Sequence, residues 1–126
     1  MKWIYFLVLF TSLLSCRKEA KKHNYNLIGK WKRTEVYINP GNGGKWQKDN
    51  SILPVTIELS ADGKFDSNAN FYSSFKNYEV NGNNSIEFHP AENGVTRAVF
   101  YSFNSDSELT LTMACIEGCG EKFVKY

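Results

Sequence analysis

Histidine, cysteine and proline are all scarce in this sequence, with two, three and three residues respectively. Neither His23 nor His89 stands in a recognisable motif with a serine or cysteine nucleophile. No Gly-x-Ser-x-Gly and no phosphate-cradling glycine loop occurs. An enzyme is therefore not expected, nor is a cofactor. A net charge of +2 is too small to argue for nucleic acid. The longest apolar run, residues 3–14, rises only about 18 Å as a helix, against a bilayer core of about 30 Å. From Leu27 onward no useful length of chain keeps the 3.6-residue period of an amphipathic helix. A chain of 126 residues has space for one domain, which excludes large multi-domain enzymes and repeat arrays. Aromatic residues make up 15% and charged residues 22%, so the chain is not a disordered charged tail.

What is present begins with an address. Met1-Lys2 and the short apolar run read as a secretory signal over residues 1–15. Leu13-Leu14-Ser15-Cys16 resembles a bacterial lipobox, which implies cleavage before Cys16 and its lipidation. Two or more acyl chains (palmitate is typical) on one residue give stable anchoring, each buried methylene contributing about 0.8 kcal/mol. Residues 16–26 then read as a tether, with Arg17, Lys18, Lys21 and Lys22 against Glu19. Arg17 after the anchor cysteine, by resemblance to known sorting rules, points to the outer membrane, on its periplasmic face or at the cell surface. Residues 23–126 carry ten bases and twelve acids, so the basicity belongs to the leader and tether, beside a membrane surface.

Residues 27–126 read as short strands. Runs of β-rich or alternating residues at 29–38, 54–60, 64–66, 71–80, 85–89, 96–103, 109–115 and 121–126 are separated by turn signals such as Asp62-Gly63. Residues 45–50 are ambiguous. In this reading Val55, Ile57 and Leu59 share a face, as do Tyr72, Tyr78 and Val80, and Ile86 and Phe88 point inward. About eight strands with turns every 8–12 residues predict an all-β, up-and-down antiparallel barrel. Cys115 and Cys119, close together in an oxidising compartment, read as a disulfide. Their spacing lacks the Cys-x-x-Cys pattern of metal or redox pairs, and no metal site is expected.

Gly29-Lys30-Trp31 at the start of the first strand looks like the opening of a lipocalin. With Asp62-Gly63-Lys64-Phe65, the meander order and the Cys115/Cys119 turn, the chain resembles the small lipocalin-like lipoproteins of Bacteroidetes. The resemblance implies an eight-stranded barrel open at one end, which holds a small hydrophobic or amphiphilic molecule. It also implies that Trp31 plugs the closed end under a basic residue of the last strand, Lys122 or Lys125. No helix fits between residue 109 and the end, so the expectation is a lipocalin-like barrel and not a true lipocalin.

Candidate ligand contacts follow. Tyr72, Tyr78, Phe88, Tyr101 and Phe103 either line a pocket or fill the barrel. Strict alternation from Trp31 puts Arg33 and Glu35 inside as a buried pair that could meet a polar head group. A β-bulge would instead flip the register, with Val36 and Ile38 inside and both charges in water. The acid pairs Asp106 with Glu108, and Glu117 with Glu121, sit at turns and read as solubility charge. The expected role is a binding module. The rival is a structural or protein-interaction lipoprotein with a filled barrel, acting through its loops or outer face.

Overall fold

The computed structural model describes residues 26–82, 84–115 and 119–126. The expected leader, the Cys16 anchor, the tether up to residue 25, and Glu117 lie outside the described residues. Nine strands are found among the described residues: β1 (Gly29–Ile38), β2 (Lys45–Lys48), β3 (Thr56–Leu59), β4 (Phe65–Ser67), β5 (Phe75–Asn81), β6 (Ser85–Pro90), β7 (Arg97–Ser105), β8 (Glu108–Met113) and β9 (Cys119–Lys125). Eight run in the order β4-β3-β1-β9-β8-β7-β6-β5, and β2 branches from β1. All pairings are antiparallel. A Lys64–Asn77 bridge and a 2.9 Å bond from Tyr78 N–H to Gly63 O bring β5 back to β4. The result is the expected up-and-down barrel, nearly closed, with no helix among the described residues.

The register fixes two ends. β1 begins at the end marked by Trp31, and the turns at residues 60–64 and 106–107 and the connection from β5 to β6 lie there too. At Asp62-Gly63 the glycine takes φ +83°, and Asp62 Oδ1 accepts the Lys64 N–H at 3.1 Å. The opposite, open end carries the longer loops at residues 39–44, 49–55, 68–74 and 91–96.

β1 is long enough to serve two neighbours along one edge. Residues 29–32 pair with β3 and residues 35–38 with β2. Arg33 N–H to Val55 O and Asp49 N–H to Thr34 O, both 2.8 Å, bridge the fork between them. On the other edge, the pairing with β9 shifts between Arg33 and Glu35, which is a β-bulge.

The core runs from Trp31 at the closed end to Tyr72, Phe75 and Phe88 beneath the loop at residues 68–74. Trp31, Ile86, Phe88, Val99, Leu111 and Phe123 are 0% exposed, with Ile57, Leu59, Tyr72 and Leu109 at 1%. The alternation of Ile57/Leu59 and Ile86/Phe88 does the expected work of placing one face inside.

Two expectations are corrected. The strand expected from residue 71 starts at Phe75, because residues 68–74 are a turn held by Tyr72 N–H to Ala69 O and Phe75 N–H to Tyr72 O, each 3.0 Å. Tyr72 is therefore buried from a loop. Val80 shares the face of Tyr78 but is exposed, since it lies beyond the last contact of β5 with the Gly63 turn.

Candidate functional site

The expected pocket aromatics divide in two. Tyr72 and Phe88 are packed solid. Phe88 meets Phe65 at 4.6 Å between centroids and Tyr72 and Phe75 at 5.8 Å each. Such ring contacts add about 0.5–1.5 kcal/mol per pair to the burial itself. Tyr78, Tyr101 and Phe103 also face inward but stay half-buried; Tyr78 donates to Ser60 O at 2.7 Å.

At the closed end, Trp31 donates its indole N–H to Leu27 O at 2.9 Å. Lys125 Nζ stands 4.9 Å from the Trp31 ring centroid, so Lys125 is the basic partner. Lys122 instead faces outward, 4.3 Å from the ring centroid of Trp46.

Above the core lies a charged layer. The bulge separates Arg33 from Glu35, so the two do not pair. Arg33 stays on the inner face, cross-strand from buried Phe123. Its Nε donates to Asp49 Oδ2 at 2.8 Å, and its Nη1 to Glu121 Oε1 at 2.6 Å. Nη2 reaches Ser51 Oγ at 3.2 Å. The other oxygen of Glu121 accepts the Tyr72 hydroxyl. Glu35 turns outward onto Lys122 Nζ at 2.7 Å. Neither sequence alternative holds whole: the bulge exists, but it moves only one of the two charges.

Glu121 is the main correction among the acids. It is 7% exposed and buried among charged partners, not a solubility charge. β9 starts at Cys119, two residues before Glu121, and Phe123 follows two residues after; period-2 alternation from Phe123 was the signal that places Glu121 inside. Asp49 had no such signal, because it reaches Arg33 from a loop.

Burial by itself disfavours the charged Arg33, but the hydrogen bonds to Asp49 and Glu121 outweigh it and raise its pKa. The Arg33 hydrogen bond lowers Asp49 from the ordinary 3.8 to about 2. Desolvation, and then the Glu121 charge, push the Tyr72 phenol upward. Asp49 and Tyr72 therefore keep their charge states through neutral pH, and the layer acts as a brace. Every buried side-chain nitrogen or oxygen among the described residues has a hydrogen-bond partner.

The remaining candidates are peripheral. His89 Nε2 lies 3.5 Å from Glu87 and 3.8 Å from Glu79, half-buried on β6. Cys115 and Cys119 form the disulfide, with Cα atoms 5.9 Å apart. Among the described residues no group of three or more His, Cys, Asp or Glu side chains is placed to hold a metal ion. Grooves of about 440, 280 and 190 Å³ lie along β1 and its neighbours and involve residues facing outward, among them Lys32, Glu35, Tyr37, Trp46, Lys48 and Lys122. No protein-family model, curated protein or solved structure matches this chain.

Proposed function

We propose that this protein is a lipid-anchored interaction module: a filled, lipocalin-like barrel without catalytic activity, held to the outer membrane through Cys16, that grips a protein partner with its open-end loops. One contrast carries the reading. Phe88 and Tyr72 are 0–1% exposed, whereas Ile52, Leu53 and Val95 on the open-end loops are 101%, 75% and 86% exposed. Phe71, 44% exposed, belongs to the same end, with the Arg97 guanidinium 4.7 Å from its ring centroid. The three most exposed large apolar side chains lie on these loops, and such groups left in water mark an interaction surface. The tether joins the barrel at Leu27, the opposite end, which leaves these loops free of the bilayer.

A photocrosslinking amino acid at position 53 in the native host tests this. The expected result is one discrete protein adduct that disappears with Ile52→Asp. No adduct, together with a small molecule retained in the native mass spectrum of host-purified protein, overturns it. In the same strain Cys16→Ala should release the protein from membranes; continued fractionation with membranes overturns the anchor.

The second reading is a small apolar or amphiphilic ligand inside the barrel. It has the half-buried, inward-facing Tyr78, Tyr101 and Phe103 in its favour, since a ligand would cover their remaining surface.

A further inference from the structure

We propose that the outer face of β2, β1, β9 and β8 binds an acidic saccharide. The register lines up outward-facing residues in rows across these strands. Trp46, Tyr37, Gly120 and Thr112 form one row; Lys48, Glu35, Lys122 and Thr110 form the next.

The first row is an aromatic platform. Trp46 rests over Gly120, where an added Cβ would come 2.8 Å from its ring. Only glycine lets the indole settle so close to β9. Tyr37 meets Trp46 edge-on at 5.4 Å, above Gly44, where any side chain would collide with the phenol. Trp46 nevertheless keeps 38% of its surface in water, beside a hollow of about 190 Å³. A half-open indole with an edge-on phenol offers a face for the C–H side of a sugar ring.

The second row supplies polar groups. Lys122 spans Trp46 and Glu35, and the groove of about 440 Å³ beyond it is lined by Glu35, Lys48, Asn104 and Glu108, with Leu109, Phe123 and Val124 also in its wall. Carboxylate, ammonium and amide groups around an aromatic face suit hydroxyls. An all-apolar ligand would strip water from these charges without replacing it.

The acid preference comes from the fork between β2 and β3. There a hollow of about 280 Å³ is lined by Lys32, Lys48, Thr34 and Ser51. The acid in its wall, Asp49, is occupied by Arg33 and Ser51. Among the described residues no carboxylate pairs with Lys32 or Lys48. Two unpaired ammonium groups next to the platform favour one carboxylate or phosphate on the sugar. Glu35 and Glu108 in the adjoining groove disfavour an extended polyanion.

The test is tryptophan fluorescence of the detergent-solubilised protein titrated with trigalacturonate, sialyllactose and glucose 6-phosphate, beside neutral galactotriose and inorganic phosphate. At least one acidic sugar should bind, more tightly than galactotriose and than phosphate. Lys48→Glu should weaken it by about tenfold or more, and so should Trp46→Ala, read by titration calorimetry because it removes the fluorescent reporter. Lys48 is exposed, so its variant tests the site even if Trp46→Ala disturbs the hairpin. Binding of none of the three acidic sugars, equal binding of inorganic phosphate, or full affinity in Lys48→Glu overturns the proposal.

Discussion

The two ends of this barrel are made from the same strands and solve different problems. At the Trp31 end, the inward residues of β1, β3, β8 and β9 are apolar, and their side chains pack until water reaches almost none of them. Toward the open end the same strands turn Arg33 and Glu121 inward, and loops bring in Asp49 and Tyr72 to meet them. One end is held by burial, which is non-directional and scales with area. The other is held by directed hydrogen bonds between charges, where removing one partner strands the rest. Apolar packing around Trp31 and the charged layer thus share the barrel interior, while the open end keeps its most exposed apolar groups on its loops.

The contrast can be broken at its strongest point first. Phe88→Ala should destabilise by about 4 kcal/mol, because three aromatic neighbours cannot all collapse into the cavity; chemical denaturation measures it. Glu121→Ala comes next, at about 3 kcal/mol, since Arg33 keeps Asp49 but Tyr72 loses its buried acceptor. If Glu121→Ala proved harmless, the charged layer would be no brace. Replacing both cysteines by serine should cost about 2 kcal/mol, the loop-closure value for so short a loop, read as a lower melting temperature. Smallest, Ile52→Asp should stay within about 0.5 kcal/mol of wild type, while abolishing the crosslink from position 53. A large loss there would mean these loops belong to the fold and not to a partner surface.

Acid sharpens the same comparison. The folded pKa of Asp49 lies below its unfolded value of 3.8, at about 2. Its contribution is therefore fully present above about pH 4 and is lost as pH falls toward 2. Asp49→Asn should flatten that part of the stability profile and lower the plateau above pH 5 without changing its slope there. Equal acid sensitivity in both proteins would place the effect elsewhere.

Much of the barrel was legible because period-2 alternation is a local property. Ile57 and Leu59, Ile86 and Phe88, and Leu109 and Leu111 each place themselves inside from their own few residues. The Asp62-Gly63 turn was equally local. Tyr72 misled because its strand-like neighbourhood is overruled by the turn at residues 68–74, which Asn68 ties to Pro54 and Thr56. Of the charged layer only Arg33 was visible. Its inward position was one alternative, but its partners were wrong, because a bulge between strands distant in sequence cannot be read from either strand alone.

The sequence by itself determined the all-β class, the alternation of most strands and the cysteine pairing, since each depends on residues within one strand or one turn; it left β2 at residues 45–48 undecided. The tertiary structure alone decided that Arg33 meets Glu121, 88 positions away, that Glu35 leaves the barrel, and that Lys125 rather than Lys122 covers Trp31. Those choices follow from the register between β1 and β9, and a one-residue slip sends every later side chain to the opposite face.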